Sequence, residues 1–261
     1  MIPNYICDNN CRHCCIKLTG DSLSEERVSR LADEIVSVRP SFVGITGGGE
    51  PFNTYDLLKI LCTKLGKAGI RVGIVTSADW ATNYETAVEK LTELKPCMVT
   101  VSYDEWHQEK IPEENVENLL KACEKLGIVR TVHHAISTVE WKLKARTIAN
   151  KYRALLSTFP VLFKRIGMNI SMPYKPCGNY INPTIAPDGW HICCNSIGVD
   201  RWFVIADVDE SLEKAWSIIR SSDMVQKLMR YGPTYFVKPE PGRYRHQCEL
   251  CYDIFRDKSI S

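Results

Sequence analysis

The chain has 261 residues, and its 33 Lys+Arg against 31 Asp+Glu leave a formal net charge of +2, too little to imply nucleic acid or an anionic membrane surface as partner. No apolar run approaches the ~18 to 20 residues of a spanning helix, and no charged-then-apolar leader precedes Cys7, so the chain reads as soluble and cytoplasmic, without a membrane partner. In a reducing compartment its 12 cysteines read as metal ligands rather than disulfides.

Apolar, β-branched runs predict strands at residues 2–7, 41–46, 70–76, 97–103, 128–136 and 161–170. Amphipathic stretches alternate with them, the pattern of repeated βα units around a parallel sheet. Six such units suit an α/β fold built as a partial (βα)6 barrel of the TIM type better than a closed eight-stranded one. Ser22, Thr82 and Ser137 stand three residues before Glu25, Glu85 and Glu140, which predicts a capping box at each helix start. Val28, Leu31, Ala32 and Ile35 form one apolar face; Val116, Leu119, Leu120 and Cys123 repeat that spacing, with Gly127 as the stop. After about Met172 the rhythm changes, so the chain divides into a barrel at 1–172 and a smaller unit at 173–261. The smaller unit contains a hairpin at 185–192 turning at Asp188-Gly189, then a helix over 211–230.

The first motif is Cys7-Asp-Asn-Asn-Cys11-Arg-His-Cys14, three thiols on the loop after the first predicted strand. One short loop can wrap one metal centre. Three thiolates on a cubane iron-sulfur cluster leave one iron open, and an open position is where chemistry happens. Taken alone, the motif also suits zinc, with His13 or Cys15 as fourth ligand.

Cys-x3-Cys-x2-Cys in this place resembles the signature of the radical S-adenosylmethionine superfamily. The resemblance implies a [4Fe-4S] cluster on Cys7, Cys11 and Cys14 that binds S-adenosylmethionine at its open iron. One βα unit later comes Gly47-Gly48-Gly49-Glu50-Pro51, similar to the family's Gly-Gly-Glu-Pro motif. By that resemblance Gly48, Gly49 and Glu50 hold the cofactor's amino group. Ser77 ends the third predicted strand where many relatives carry an asparagine, and Ser102 with Asp104 resembles a Ser-x-Asp that meets the cofactor ribose. Helix capping is the competing role for the two serines. His133 and His134 end the fifth predicted strand; alternation lets at most one point into the barrel mouth, toward a substrate. Cys62, Cys97 and Cys123 read as core.

A second set, Cys177, Cys193, Cys194, Cys248 and Cys251, offers five thiols for a four-thiolate site. It is similar to the family's auxiliary-cluster extensions, SPASM and the shorter twitch form. The spacing of Cys177, Gly189 and Cys194 favours Cys194 over Cys193, and the resemblance implies one auxiliary [4Fe-4S] cluster on Cys177, Cys194, Cys248 and Cys251. A zinc site on the same four thiolates is the alternative. The resemblance implies an oxidoreductase-type radical enzyme, fed by a donor such as flavodoxin or ferredoxin. Oxidative modification of a ribosomally made peptide is placed slightly ahead of dehydrogenation or rearrangement of a small natural-product intermediate, and a non-catalytic iron-sulfur or zinc protein is the remote reading.

Overall fold

The computed structural model describes residues 1–162, 176, 182–192, 203–239, 243–244 and 246–257. Five parallel strands, β1 (Phe42–Ile45), β2 (Arg71–Thr76), β3 (Met98–Ser102), β4 (Val129–Ile136) and β5 (Leu155–Pro160), lie side by side in chain order. Each crossover carries helix: α1 (Glu25–Val38) leads into β1, and α2 (Tyr55–Lys67), α3 (Tyr84–Leu94), α4 (Glu105–Gln108), α5 (Glu113–Lys125) and α6 (Val139–Lys151) follow. This is the expected α/β partial barrel, with five strands in its sheet among the described residues. A second sheet is antiparallel, β6 (Pro183–Ala186), β7 (Gly189–Ile192) and β8 (Val204–Ala206), followed by α7 (Leu212–Ser221), α8 (Asp223–Tyr231) and α9 (Gln247–Asp257).

The apolar spacings decide what is buried. Val28, Leu31, Ala32 and Ile35 of α1 pack with α2, β1 and β2, while Val116, Leu119, Leu120 and Cys123 of α5 pack with β3, β4 and α6. Gly127, at φ +68°, ends α5 in the left-handed conformation that favours glycine. The hairpin forms as expected, with Gly189 at φ +134° opening β7. It docks on the barrel, since Ile185, Trp190, Leu212 and Ala215 share the α1–α2 core. Arg27 of α1 donates to Glu210 O (2.6 Å), and Leu212 N donates to Glu34 (2.8 Å).

Four expectations are corrected. Residues 2–7 do not form a strand of the sheet: Met1 brackets β1 through Gly44 O (2.7 Å) and Thr46 N (2.9 Å), after which the main chain pairs with the glycine loop. Pro3 has no N–H to give a ladder there. The fifth strand of the sheet, Leu155–Pro160, falls outside every predicted strand; of the strand expected at 161–170, Val161 and Leu162 have no regular structure, and 163–170 lie outside the described residues. Ser157 and Thr158 break the apolar run that marks a buried strand, which suits β5's place at the edge of the sheet among the described residues. The helix caps are Ser24, Asn83 and Thr138, one or two residues after the expected ones, because these side chains reach the N–H groups of Arg27, Thr86 and Trp141. The helix over 211–230 is two helices, broken at Ser222, whose side chain accepts from Val225 N and so caps α8.

Candidate active site

The cysteine loop and the glycine loop form one unit. Gly49 N donates to Asn4 O (2.9 Å) and Glu50 N to Ile6 O (2.8 Å), so the turn after β1 is joined by main-chain bonds to the segment entering Cys7. Asn4 completes the joint: its Oδ1 accepts from Ile6 N (2.8 Å), and its Nδ2 donates to Glu50 O (3.1 Å) and Thr54 Oγ1 (2.7 Å). The approach is close enough to require glycine. A Cβ on Gly49 would lie 2.2 Å from both Asn4 Oδ1 and Ile6 O, and one on Gly48 would lie 2.5 Å from two ring atoms of Tyr5.

These loops and the ends of β2 and β3 enclose a cavity of about 160 Å³ lined by Cys7, Cys11, Cys14, Gly48, Gly49, Glu50, Ser77 and Ser102. Eight of the residues picked out in the sequence thus converge. The cysteine loop is held from within by Cys14 N donating to Cys11 O (2.9 Å). From outside, Asn9 donates to Ser77 Oγ (3.3 Å) and Asp79 Oδ2 (2.9 Å). Glu50 is fully buried and accepts from Phe52 N (3.1 Å), Thr76 Oγ1 (2.8 Å), and both the N–H and the hydroxyl of Ser77 (2.7 Å each). Ser77 therefore orients Glu50 rather than presenting a free hydroxyl.

Electrostatics suit a group carrying positive charge. Burial, then the charge of Asp79, pushes the Glu50 carboxyl up despite its donors, so a cation in the cavity would be welcome. Burial pushes the Cys11 thiol up to about 12, with Asp104, Cys7 and Cys14 adding to it, and burial also raises Cys7. Such thiols keep their protons until a metal replaces them. Three soft donors on one loop, a backbone cradle that a Cβ would fill and a buried carboxylate together fit an iron-sulfur cluster with an amino-acid-bearing ligand.

Asp104 is placed differently from its expected role. It is fully buried, is not among the lining residues, and caps α4 by accepting from Trp106 N (3.1 Å) and His107 N (3.0 Å). Its other oxygen holds His107 Nδ1 at 2.9 Å. Burial opposes its ionisation, but His107 outweighs burial and the carboxyl settles at about 2. His107 lines the cavity, and sequence reading missed it; the Asp-x-x-His spacing, which puts both residues on one side of a helical turn, was the available signal. His13 stacks on Trp106 (4.8 Å between centroids) and meets His107 edge-on (4.8 Å); burial lowers its pKa to about 4. Ligand atoms of Cys11, His13 and His107 lie within 4.8 Å of one another.

His133 and His134 do point to opposite faces. His134 is fully buried, its Nδ1–H donating to Tyr103 O (3.1 Å), whereas His133 is partly buried with Nδ1 3.3 Å from Ser157 Oγ. Burial lowers the His133 pKa. Cys62 and Cys123 are core, as expected, whereas Cys97, just before β3, is only partly buried. Of the second cysteine set, Cys177, Cys193 and Cys194 lie outside the described residues. Cys248 and Cys251 are buried on α9, and Cys251 shares a packed cluster with Ile192, the residue before Cys193.

Residues 1–139 match the family model of the Radical SAM superfamily. Over 125 residues the chain is 24% identical to the putative peptide biosynthesis protein YydG of Bacillus subtilis (strain 168), a match covering 46% of this chain and 39% of that protein, so the chain spans well under half of that relative. Among solved structures, BtrN in complex with AdoMet and 2-DOIA is similar with a TM-score of 0.55 at 15% identity, over 90% of this chain and 87% of that one. Streptococcus suis SuiB bound to precursor peptide SuiA is similar with a TM-score of 0.53 at 14% identity, over 88% of this chain and 66% of that one. At those identities the likeness is one of fold. No helix among the described residues is long and apolar enough to cross a membrane. Since the matched stretch is more than half of the chain and contains both loops of the cavity, the chain belongs to the radical S-adenosylmethionine superfamily.

Proposed function

We propose that this radical SAM enzyme modifies a ribosomally made peptide, by oxidative crosslinking or dehydrogenation or by redox-neutral epimerisation, with the radical site in residues 1–172 and an auxiliary [4Fe-4S] cluster in residues 173–261. The observation that carries the radical chemistry is the cavity in which the three-cysteine loop is joined by main-chain bonds to the glycine cradle. When bound, the cluster and S-adenosylmethionine supply a single electron and a sulfonium bond whose cleavage yields a hydrogen-abstracting 5'-deoxyadenosyl radical.

The chain's own residues have distinct tasks. Cys7, Cys11 and Cys14 would hold the cluster by three thiolates and leave its fourth position for the cofactor. Gly48 and Gly49 let the backbone approach the cofactor's amino-acid end, and Glu50, kept in place by Thr76 and Ser77, meets its ammonium by charge. Ser102 presents a hydroxyl at the barrel mouth, and Asp104 acts at one remove by fixing His107. His133, beside Ser157, is the histidine left to meet a substrate, since His134 is buried against Tyr103 O. Cys177, Cys194, Cys248 and Cys251 would hold the second cluster, which would supply an acceptor for one electron from the substrate. A flavodoxin- or ferredoxin-type donor supplies the first electron.

The name of YydG and the peptide bound by SuiB support a peptide substrate. BtrN, crystallised with 2-DOIA, supports the second reading, a small-molecule dehydrogenation. Anaerobic reconstitution is expected to give about eight irons per chain, and dithionite with S-adenosylmethionine to release 5'-deoxyadenosine. Zinc without iron, as a site on Cys11, His13 and His107 would give, or no cleavage by the iron-loaded protein, refutes the radical reading. Loss of two hydrogens from a precursor peptide, read by mass, decides between the substrates for a dehydrogenation or a crosslink.

A further inference from the structure

The turn of the C-terminal hairpin reaches the cofactor cradle through a part-buried polar chain. Tyr5 is 3% exposed, lies two residues before Cys7, and fills the space a Cβ on Gly48 would need. Its hydroxyl donates to Asp188 Oδ1 (2.7 Å), and the same oxygen bonds His191 Nε2 (2.8 Å). His191 is fully buried, and its Nδ1 has no hydrogen-bond partner among the described residues. Apolar contacts surround the chain: Ile2, Tyr5 and Ala186 form one cluster, and Ile2 N donates to Ile185 O (2.8 Å).

A phenylalanine at position 5 would fill this cluster at no polar cost, whereas the buried Tyr5 hydroxyl and His191 imidazole must both be placed to meet the half-buried Asp188 carboxylate. What the arrangement achieves is a fixed ring position. The Tyr5 ring is held against Gly48 on one side and by the hairpin turn through its hydroxyl on the other. β7, which carries His191, ends at Ile192, directly before Cys193 and Cys194.

We propose that Tyr5, Asp188 and His191 are positioning residues for S-adenosylmethionine, through which the hairpin of the second unit sets the shape of the Gly48 cradle. The proposal rests on the cofactor reading of that cavity. None of the three lines the cavity, so an effect on cofactor affinity must pass through the Tyr5 ring. By linkage, a change that repositions the hairpin alters cofactor binding, and cofactor binding alters the hairpin to the same degree.

The test uses the anaerobically reconstituted full chain, wild type, Asp188→Ala, Tyr5→Phe and the double variant. The measurements are the dissociation constant of S-adenosylmethionine by equilibrium dialysis and its effect on the EPR signal of the reduced cluster. Each single variant is expected to weaken binding about tenfold, with iron content unchanged and the double variant no weaker than the singles, the non-additivity expected of a connected chain. Dissociation constants within twofold of wild type, additive losses, or loss of iron in both single variants would overturn the proposal, the last by showing a structural role only. Failure of the wild type itself to bind S-adenosylmethionine would instead refute the cofactor reading.

Discussion

Gly49→Ala is a sharp test of the joint between the two loops. The added Cβ would sit 2.2 Å from Asn4 Oδ1 and Ile6 O and 2.4 Å from Ile6 N, more than 1 Å inside ordinary contact. Two of those atoms are backbone, and the third belongs to a side chain held by three hydrogen bonds. Relief therefore means separating the strands of the joint and losing Gly49 N to Asn4 O and Glu50 N to Ile6 O. Two hydrogen bonds at about 1 kcal/mol each, with an overpacking cost of about 1 to 3 kcal/mol, give about 3 to 5 kcal/mol. For a chain of this size that lowers the melting temperature by roughly 10 °C. Anaerobic thermal melting should show it, together with reduced iron retention at the first site. The matched control is Gly66→Ala in α2, where nothing lies within 4 Å of the new Cβ. That variant should gain about 0.5 to 1 kcal/mol of helix stability. A Gly49→Ala protein that melts within about 2 °C of wild type and keeps its iron would refute the reasoning.

Two further outcomes follow from the site. Because the folded-state carboxyl of Asp104 lies at about 2, below its ordinary 3.8, its ionised form stabilises the fold fully above about pH 4, and that contribution is lost as pH falls toward 2. It amounts to about 2 kcal/mol; urea unfolding of the metal-free protein should show Asp104→Asn losing this at pH 7 and converging with wild type only near pH 2, and parallel profiles would remove His107 as the stabilising partner. Cys14→Ala should abolish cleavage of S-adenosylmethionine, whereas Cys248→Ala should leave uncoupled cleavage intact and block substrate turnover; equal loss in both would assign the second cysteine set to folding.

The cavity was legible in the sequence where chemistry is local. Cysteine spacing and a glycine run declare themselves because few other residues can wrap a cluster or admit a backbone so closely. Asp104 shows the limit: a carboxylate after a strand can meet a ligand or cap the next helix, and only the short α4 with His107 on its first turn decides for the cap. The first predicted strand failed for a related reason. Its apolar residues have strand character, but Asn4 and Ile6 bond to the glycine loop, a partner that periodicity cannot name. The caps moved because Ser22 and Ser24, or Ser137 and Thr138, offer near-identical chemistry, and a shift of one or two residues decides which oxygen reaches an N–H. Cys177 and Cys194 fall outside the described residues, so the second cluster still rests on spacing and on the packing of Cys251 near the end of β7.

The segment 1–7 is a seam: it pairs with β1 on one side through Met1 and, on the other, with β6 through Ile2. That has a consequence for the order of assembly. The cysteine loop is made well before one edge of its own support, which comes from residues 183 positions later. Contacts of such separation form late in folding, because the closure entropy must be met before they contribute. The thiols of Cys7, Cys11 and Cys14 therefore gain their final frame only when the hairpin of residues 185–192 has docked, not when their own motif is made.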